Sequence, residues 1–335
     1  MKKCKLLLIL SLVLMLGACG NNTSEVVVID KDAKMDVSNH EEVKENDGFE
    51  YMEVVSEKSQ EEQSNVMKEF DGLLNENPSS LVFSQFVDKN IQGLSKKNGT
   101  KMVLALEANL KENIEKVYSD LPNYEQKLDD YDYKEIFKNI DKVKDEELKK
   151  FLQEFKNSNY IFGMNEGMYQ VYIDYGSLVK YSPYLTEDIS EYFKFKSLNS
   201  DEYYSEDGGL AISYEEVRQR LAIGDQFLLK YGDSKRKREA AIEYVNYLSF
   251  YLYGDNNVPA FDYDTNKLKD KILGSYRKID LNHENSQLSK TFKSYMPLLE
   301  KNNYMLTDEI NNFRGKVEAD FMKEYNMAYG ERYTM

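Results

Sequence analysis

The sequence predicts a mainly α-helical protein: an irregular helical bundle in one or two lobes, with one small β-hairpin near residues 160–175. Apolar residues recur every three or four positions through much of the chain, and only five prolines interrupt its 335 residues, so helices are favoured. Apolar and polar residues alternate in one glycine-flanked segment, which favours the hairpin. No period of about 34 or 40 residues recurs, which argues against a helical repeat array.

Five stretches carry the helical spacing. The longest predicts a helix that runs from after Asn98-Gly99 to the break at Pro122, with the apolar face Val103, Leu106, Leu110, Ile114, Val117 and Leu121. Ser213 and Glu216 form a capping-box pattern that opens a second helix, and Thr307 precedes the acidic start of a helix near the C-terminus. The other two faces are Ile242, Val245, Leu248 and Leu252, and Leu268, Ile272, Tyr276 and Ile279.

The segment 158–185 departs from this spacing. Two extended stretches, 160–162 and 168–175, flank a turn that contains Gly163 and Gly167. In the second stretch one predicted face contains Tyr169, Val171 and Ile173, and the other contains Met168, Gln170, Tyr172 and Asp174.

The N-terminal residues predict an exported protein. A basic start is followed by an apolar run over residues 6–16, about half of the roughly 20 residues that a transmembrane helix needs. We therefore expect residues 1–18 to be a signal peptide. Residues 19–50 are rich in Asn, Ser, Asp and Glu and predict a flexible acidic tether, while residues 51–335 are expected to form the helical extracytoplasmic body.

Residues Leu16-Gly17-Ala18-Cys19 resemble the lipobox of bacterial lipoproteins, with a Leu three positions before the Cys and two small residues between them. The resemblance implies that Cys19 carries a diacylglycerol and becomes the first residue after cleavage. Two acyl chains anchor a protein stably, so the expected location is the extracytoplasmic face of the cell membrane. The alternative is an ordinary secretory signal in which Cys19 is incidental. The body, through the stretch 158–185, which includes residues 175–181, and through residues 207–209, is similar to uncharacterised lipoproteins of Gram-positive bacteria, a likeness that implies no activity.

Composition excludes several classes of function. The net charge of −15 repels nucleic acid and anionic polymers, so nucleic acid is not an expected partner. The two cysteines, Cys4 and Cys19, are lost to cleavage and lipidation, which excludes disulfides, a cysteine nucleophile and a cysteine-ligated metal. The two histidines, His40 and His283, are too few for a His-rich zinc site, and His283 is expected in an exposed turn or at a helix cap. The sequence predicts no cofactor and no metal.

One acidic segment has the spacing that opens a calcium-binding EF-hand loop, beginning with Asp262 and Asp264. The loop fails at its sixth position, where Lys267 replaces the required Gly, and at its twelfth, where Leu273 replaces the bidentate Glu. We expect instead a turn in which Asp262 or Asp264 caps a helix starting near Thr265.

Nine of the 27 tyrosines lie between residues 160 and 204: Tyr160, Tyr169, Tyr172, Tyr175, Tyr181, Tyr184, Tyr192, Tyr203 and Tyr204. Core packing is the commoner fate of aromatic residues. However, a tyrosine ring with its hydroxyl also suits a partly hydrated ligand such as a peptide or glycan. The sequence predicts a groove lined by Tyr169, Tyr172, Asp174 and Tyr175, with Asp174 favouring uncharged or cationic ligands.

Two classes of function remain. The scarcity of catalytic residue types favours a non-catalytic, lipid-anchored surface protein that binds a peptide, glycan or protein partner at the cell envelope. The alternative is a cell-wall hydrolase that acts through carboxylates, for which Glu166, beside Gly167, is the acid best positioned to project into a cleft. A transporter-linked solute receptor is less favoured because the chain lacks βαβ signals. An enzyme requires an acid with a raised pKa in a deep cleft, whereas a binder requires only a tyrosine-lined groove.

Overall fold

The computed structural model describes residues 48–328 and 330, and helices account for most of them. The prediction of a mainly helical bundle with a small β-hairpin is therefore confirmed. The described residues belong to one compact unit with one apolar core, so they are not divided into two lobes. The expected signal peptide, Cys19 and the expected tether up to residue 47 lie outside the described residues.

Twelve α-helices occur within the described residues: α1 (Gln60–Asn75), α2 (Ser80–Asn90), α3 (Lys96–Asp120), α4 (Glu125–Leu128), α5 (Glu146–Asn157), α6 (Tyr175–Val179), α7 (Glu187–Asp201), α8 (Tyr214–Lys230), α9 (Lys237–Tyr253), α10 (Asp270–Tyr276), α11 (Gln287–Lys301) and α12 (Asp308–Glu324). Four short 3-10 helices lie between them: Leu121–Asn123, Ile136–Lys138, Ile140–Lys142 and Ser182–Tyr184. None of the helices in this part of the chain is both long enough and apolar enough to cross a membrane.

Helix α3 begins earlier than the sequence predicts. Ser95 caps it by accepting a hydrogen bond from the backbone N–H of Asn98, so Asn98 and Gly99 lie inside its first turn. A β-carbon at Gly99 would lie 2.2 Å from the carbonyl oxygen of Tyr184, so this glycine permits the helix to approach the neighbouring 3-10 helix closely. The first half of the predicted apolar face is buried, as the spacing predicts.

The predicted N-terminal caps of two helices in the C-terminal half of the chain are confirmed, but a third helix there is shorter than predicted. Ser213 and Thr307 cap α8 and α12, each accepting a bond from the backbone N–H three residues later. Leu268 and Ile279 lie outside α10, and Leu268 pairs with Phe261 in an antiparallel bridge instead. Both are nevertheless buried, so the spacing predicted burial correctly but not the ends of the helix.

The predicted hairpin consists of β1 (Tyr160–Asn165) and the antiparallel β2 (Met168–Ile173). Its predicted bounds are wrong in two places: Gly163 lies within β1 and not in the turn, and β2 ends before Asp174 and Tyr175, which cap and begin α6. Glu166 and Gly167 join them with φ angles of 50° and 75°. Positive φ at both positions is typical of a two-residue turn whose twist matches that of the strands. The face of β2 that contains Tyr169 is buried, so the alternation read from the sequence is confirmed.

A second, smaller antiparallel hairpin follows α7 and was not predicted. It comprises β3 (Ser205–Glu206) and β4 (Gly209–Leu210), joined by Asp207 and Gly208 with φ angles of 51° and 69°. Strands of two residues are too short to show alternation, so only the Asp-Gly turn signalled them.

The packing of helices around the hairpins brings distant segments together. β1 packs against α5, and β2 packs against α3. Helices α7, α8 and α9 pack on one another, and α12 packs against α9. Residues from the C-terminal ends of α7 and α9 and from both hairpins line a common cavity.

Candidate functional site

A cavity of about 1130 Å³ lies between β1, the ends of α7 and α9, and the second hairpin. The stretch 133–138 supplies another part of its wall, and Glu318 of α12 also lines it. Ligand pockets typically have volumes of about 300–1,000 Å³, so this cavity has room for a ligand larger than a single amino acid.

Tyrosines supply much of the wall. Of the nine tyrosines between residues 160 and 204, six are buried, and the three half-buried ones, Tyr172, Tyr203 and Tyr204, all line the cavity. Tyr133 and Tyr253 line it from other segments. Most of the tyrosine cluster therefore packs in the core, and the remainder forms the cavity surface.

The tyrosine rings pack against other rings as well as lining the cavity. Tyr172 and Tyr203 contact each other with ring centroids 4.5 Å apart, and Tyr204 packs edge-on against Phe250 at 5.4 Å. Burial raises the pKa of Tyr172 and that of Tyr203. Both phenols are protonated at neutral pH, and their hydroxyls are hydrogen-bonded to each other, so one of the two O–H groups is left to donate to a ligand.

Carboxylates outnumber cationic groups on the described part of the cavity wall. The acids are Glu135, Asp201, Glu202, Glu206, Asp255 and Glu318, and the lysines are Lys134 and Lys138. Lys134 pairs with Glu206 at 2.8 Å, and Lys138 pairs with Glu135 at 2.9 Å. Each of these lysines is thus paired with an acid, and Glu202 lies 3.9 Å from the guanidinium group of Arg220. Acidic groups nevertheless outnumber these cations, so the wall is acidic on balance. We call this space the acidic cavity.

The carboxyl group of Asp201 has a raised pKa. Its Oδ1 packs against Gly176, where a β-carbon would lie 2.4 Å from that oxygen, although other parts of the side chain reach solvent. Burial of the carboxyl and the neighbouring charge of Asp174 raise the pKa of Asp201 from its ordinary value of 3.8 to about 6, against opposing effects of Ser200 and Arg220. The group therefore changes charge in the mildly acidic range.

Hydrogen bonds between distant segments hold the wall together. The backbone N–H of Glu166 donates to Oδ1 of Asp207 at 2.6 Å, which joins the turns of the two hairpins. The amide of Asn257 donates to the carbonyl oxygen of Asp207 at 2.7 Å, and the hydroxyl of Tyr133 donates to Glu206 at 3.1 Å. The second hairpin is thus bonded to three other segments that border the cavity.

A second cavity of about 350 Å³ adjoins the first, because Tyr172 and Tyr203 line both. Most of its remaining wall is apolar or aromatic, with the side chains of Ile114, Ile173, Tyr175, Tyr192 and Ile242. We call it the apolar chamber.

Glu107 is fully buried among residues that line the apolar chamber. Its carboxylate accepts hydrogen bonds from the hydroxyls of Tyr175 at 3.0 Å and Tyr192 at 2.9 Å, and it pairs with Lys111 at 2.7 Å and Arg236 at 2.6 Å. Burial opposes ionisation, but the charges of Lys111 and Arg236 together with the hydrogen bonds outweigh it and lower the pKa of Glu107. The carboxylate is therefore ionised and links α3 to α7 and to the start of α9.

The four predicted binding residues do not form one groove. Tyr172 lines the acidic cavity, whereas Tyr169 is buried on the opposite face of β2. Asp174 caps α6 by accepting a hydrogen bond from the backbone N–H of Ser177 at 2.9 Å. Tyr175 is buried and lines the apolar chamber together with Tyr172. The structure thus brings Tyr172 and Tyr175 to a common cavity and assigns the other two to packing and capping.

Three other residues singled out from the sequence lie in turns. Glu166 is exposed at the tip of the first hairpin and does not line the acidic cavity. His283 is exposed, and its Nδ1 accepts a bond from the backbone N–H of Ser286 at 3.2 Å, as expected for a turn residue. Asp262 accepts a hydrogen bond from the backbone N–H of Thr265. The prediction of a helix starting near Thr265 is wrong, because α10 begins five residues later, at position 270. In the part of the chain that the structure describes, no three acidic or histidine side chains come together as metal ligands.

Most residues of the acidic cavity were missed because no sequence motif connects them. Tyr133, Asp255 and Glu318 are separated by more than 60 residues from one another along the chain, and each resembles many other residues of its type. The tyrosine cluster at 160–204 was the signal that identified part of the site.

No protein-family model matches the chain, and no curated protein or solved structure matches it either.

Proposed function

We propose that this chain is a lipid-anchored protein of the extracytoplasmic face of the cell membrane, and that it binds an uncharged or cationic ligand without catalysis. The observation that carries the proposal is the acidic cavity, whose volume of about 1130 Å³ is surrounded by tyrosines and by an excess of carboxylates. Anchoring through Cys19 follows from the lipobox resemblance and is part of the same proposal.

The chemistry of the wall selects the class of ligand. Tyrosine faces supply apolar contact area to a peptide or to the ring of a sugar, and their hydroxyls supply hydrogen bonds. The acids of the wall, which outnumber its lysines, attract amines and accept hydrogen bonds from hydroxyls, while they repel phosphate and carboxylate groups. We therefore infer a wall-derived peptide or an amine-bearing or neutral glycan as the ligand.

A thermal-shift screen tests the proposal. The chain from residue 20 onward contains the whole compact unit and is screened against wall peptides, muropeptides, amino acids and divalent metals. A ligand that binds only the folded protein raises its melting temperature, by RT ln(1 + [L]/Kd) in free energy. Hits are expected among neutral or cationic peptides and glycans.

Two variants test whether a hit binds in the acidic cavity. Tyr172→Ala and Glu202→Gln alter the wall and are expected to weaken the hit, whereas Tyr51→Ala changes an exposed tyrosine that does not line the cavity. A hit that all three variants bind equally well, or a screen in which every hit is anionic, would contradict the proposal.

A carboxylate-dependent wall hydrolase is the second candidate, and Asp201 favours it. A general acid needs a proton near neutral pH, and the pKa of Asp201 is raised to about 6 beside other cavity carboxylates. Under this alternative, the protein releases new reducing ends from wall glycan, and Asp201→Asn abolishes the release while ligand binding persists. Absence of turnover with a bound muropeptide favours the binding protein instead.

A further inference from the structure

The wall of the apolar chamber offers no free counter-ion to a charged ligand. Each lysine and glutamate on the described wall contacts a group of opposite charge: Lys111 with Glu107 at 2.7 Å, Lys196 with Glu243 at 2.6 Å, and Glu239 with Arg236 at 3.1 Å. Most of the remaining wall consists of isoleucines and tyrosine rings. Because a charged ligand would lose its hydration here without gaining a partner, the chamber favours an uncharged one.

Bonds between different helices hold the buried floor of the chamber, which Tyr175 and Tyr192 form, in a fixed position. The hydroxyls of both residues donate to Glu107 of α3, at 3.0 Å and 2.9 Å. The ion pair between Lys196 and Glu243 joins α7 to α9 beside them. A ring that is fixed at its backbone and at its hydroxyl does not swing inward to fill the space. The chamber is therefore preformed, and a ligand binds without the cost of ordering its wall.

The arrangement of these rings favours an aromatic ligand. The ring planes of Tyr175 and Tyr192 are 86° apart, with their centroids 6.3 Å apart. A flat ligand ring that lies parallel to one of them is therefore edge-on to the other, and aromatic pairs favour both offset-stacked and edge-on contacts. The ammonium group of Lys196, which lies 5.2 Å from the centroid of the Tyr175 ring, also attracts the face of an aromatic ring but not that of a saturated one.

We propose that the apolar chamber is a binding site for an uncharged aromatic molecule of one or two rings. Its volume of about 350 Å³ exceeds the roughly 150 Å³ in which an apolar cavity binds benzene, so a substituted ring or two fused rings fit. Tyr172 and Tyr203, whose rings contact each other at 4.5 Å, form a wall that the chamber shares with the acidic cavity. The ligand lies wholly on the chamber side of that wall, and the inference does not depend on the proposed function.

Indole is the probe, because the chain contains no tryptophan and indole fluorescence can therefore be excited apart from that of tyrosine. The chain from residue 20 onward is titrated into indole. Indole that enters the chamber leaves water for an apolar environment, so its emission is expected to shift to shorter wavelength and to reach saturation.

Competitors of similar size test the chemistry of the site by displacing indole. Benzyl alcohol is expected to displace it at concentrations about two- to tenfold lower than cyclohexylmethanol does, because only the aromatic ring gains the ring contacts. Benzylammonium and benzoate are expected to displace indole less well than benzyl alcohol, because each ion loses its hydration without finding a free partner.

Two variants test whether indole binds in the chamber. Ile242→Phe and Ile114→Phe each enlarge a half-buried side chain of the wall, one from α9 and one from α3. Each is expected to weaken indole binding by about fivefold or more, because the added ring and the ligand compete for the same volume. Ile223→Phe, at an exposed position on α8, is the matched control and is expected to bind indole like the unchanged protein. Thermal unfolding without ligand shows that each variant is folded.

Several outcomes would overturn this site. Indole binding that both folded chamber variants retain would place the ligand elsewhere, and so would binding that only Glu202→Gln weakens, which would assign it to the acidic cavity. Equal displacement by benzyl alcohol and cyclohexylmethanol, stronger displacement by either ion, or no shift of the indole emission would each refute the proposed ligand class. A hit of the thermal-shift screen in the acidic cavity is unaffected by these results, so the proposed function stands or fails separately.

Discussion

Gly163 of β1 lies directly beneath the ring of Tyr172 of β2, and a β-carbon at position 163 would lie 2.4 Å from Cε2 of that ring. Gly163→Ala is therefore expected to displace the ring, destabilising the protein by about 1–3 kcal/mol through overpacking. Displacement of the ring should also weaken the binding of any ligand that contacts Tyr172. Chemical denaturation and calorimetry measure the two effects.

Gly274→Ala is the matched control for this prediction. Gly274 lies in α10, and a β-carbon there would have no atom within 4 Å. Alanine is the better helix former by up to about 1 kcal/mol, so this variant should be as stable as the unchanged protein or more so, with ligand binding preserved. Equal stability of both variants would show that the Tyr172 ring has room to move without cost.

Substitution of the buried Glu107 should destabilise the protein more than most substitutions. Glu107→Gln leaves the cations of Lys111 and Arg236 without their buried partner, and the expected loss of stability is about 3–5 kcal/mol. Glu309→Gln removes an exposed partner of Lys301, and because solvent screens this pair, the loss of stability should be far smaller. Urea denaturation at pH 7 distinguishes the two.

Acidic pH should remove the stabilisation that the Glu107 carboxylate provides. The pKa of Glu107 is lower in the folded protein than its ordinary value of 4.5, so its stabilisation is fully present above about pH 4.5 and is lost as the pH falls through the lowered folded value. Glu107→Gln should therefore have a flatter stability profile below pH 4.5. Parallel profiles for the two proteins in that range would contradict the assignment.

The raised pKa of Asp201 predicts a pH dependence of stability opposite in sign to that of Glu107. Its folded pKa of about 6 lies above its ordinary value of 3.8, so its contribution to stability is greatest at low pH and is lost as the pH rises through about 6. Asp201→Asn should gain stability relative to the unchanged protein between pH 4 and pH 7.5. Asp174→Asn removes the neighbouring charge and should lower the pKa of Asp201. Thermal unfolding across this range measures both changes.

The same titration should govern ligand binding. Ionisation of Asp201 adds negative charge to the acidic cavity, so a cationic ligand should bind more tightly at pH 7.5 than at pH 5, by up to about fivefold for one partly exposed charge. An uncharged ligand should show little change. The pH dependence for the cation should disappear in Asp201→Asn, and its persistence there would assign the effect to another group.

Lipidation is expected to depend on one of the two cysteines. Cys19→Ala should abolish incorporation of a labelled fatty acid, leave the signal peptide uncleaved by the lipoprotein peptidase and release the protein from its lipid anchor. Cys4→Ala changes the other cysteine, within the expected signal peptide, and should be labelled normally. Equal labelling of both variants would refute the lipobox interpretation.

The helices and the first hairpin were predictable because their signals are local. The apolar spacing of α3 and the capping residues of α8 and α12 identify helices, since neighbouring positions on a helix face are three or four residues apart. Likewise, the alternation in β2 predicted which face is buried. Helix ends were less certain: α10 is shorter than its apolar spacing, because buried residues beyond its ends belong to turns and a bridge.

By itself, then, the sequence determined the helical class, the faces that form the core and the acidic charge. Only the tertiary structure decided which tyrosines line a cavity, which acids join them, and that Asp201 lies against Gly176 beside Asp174. These features depend on how α7, α9, α12 and the hairpins pack. A cavity wall combines residues from distant segments, and a pKa depends on burial and on neighbouring charges, so neither is encoded in a local pattern of residues.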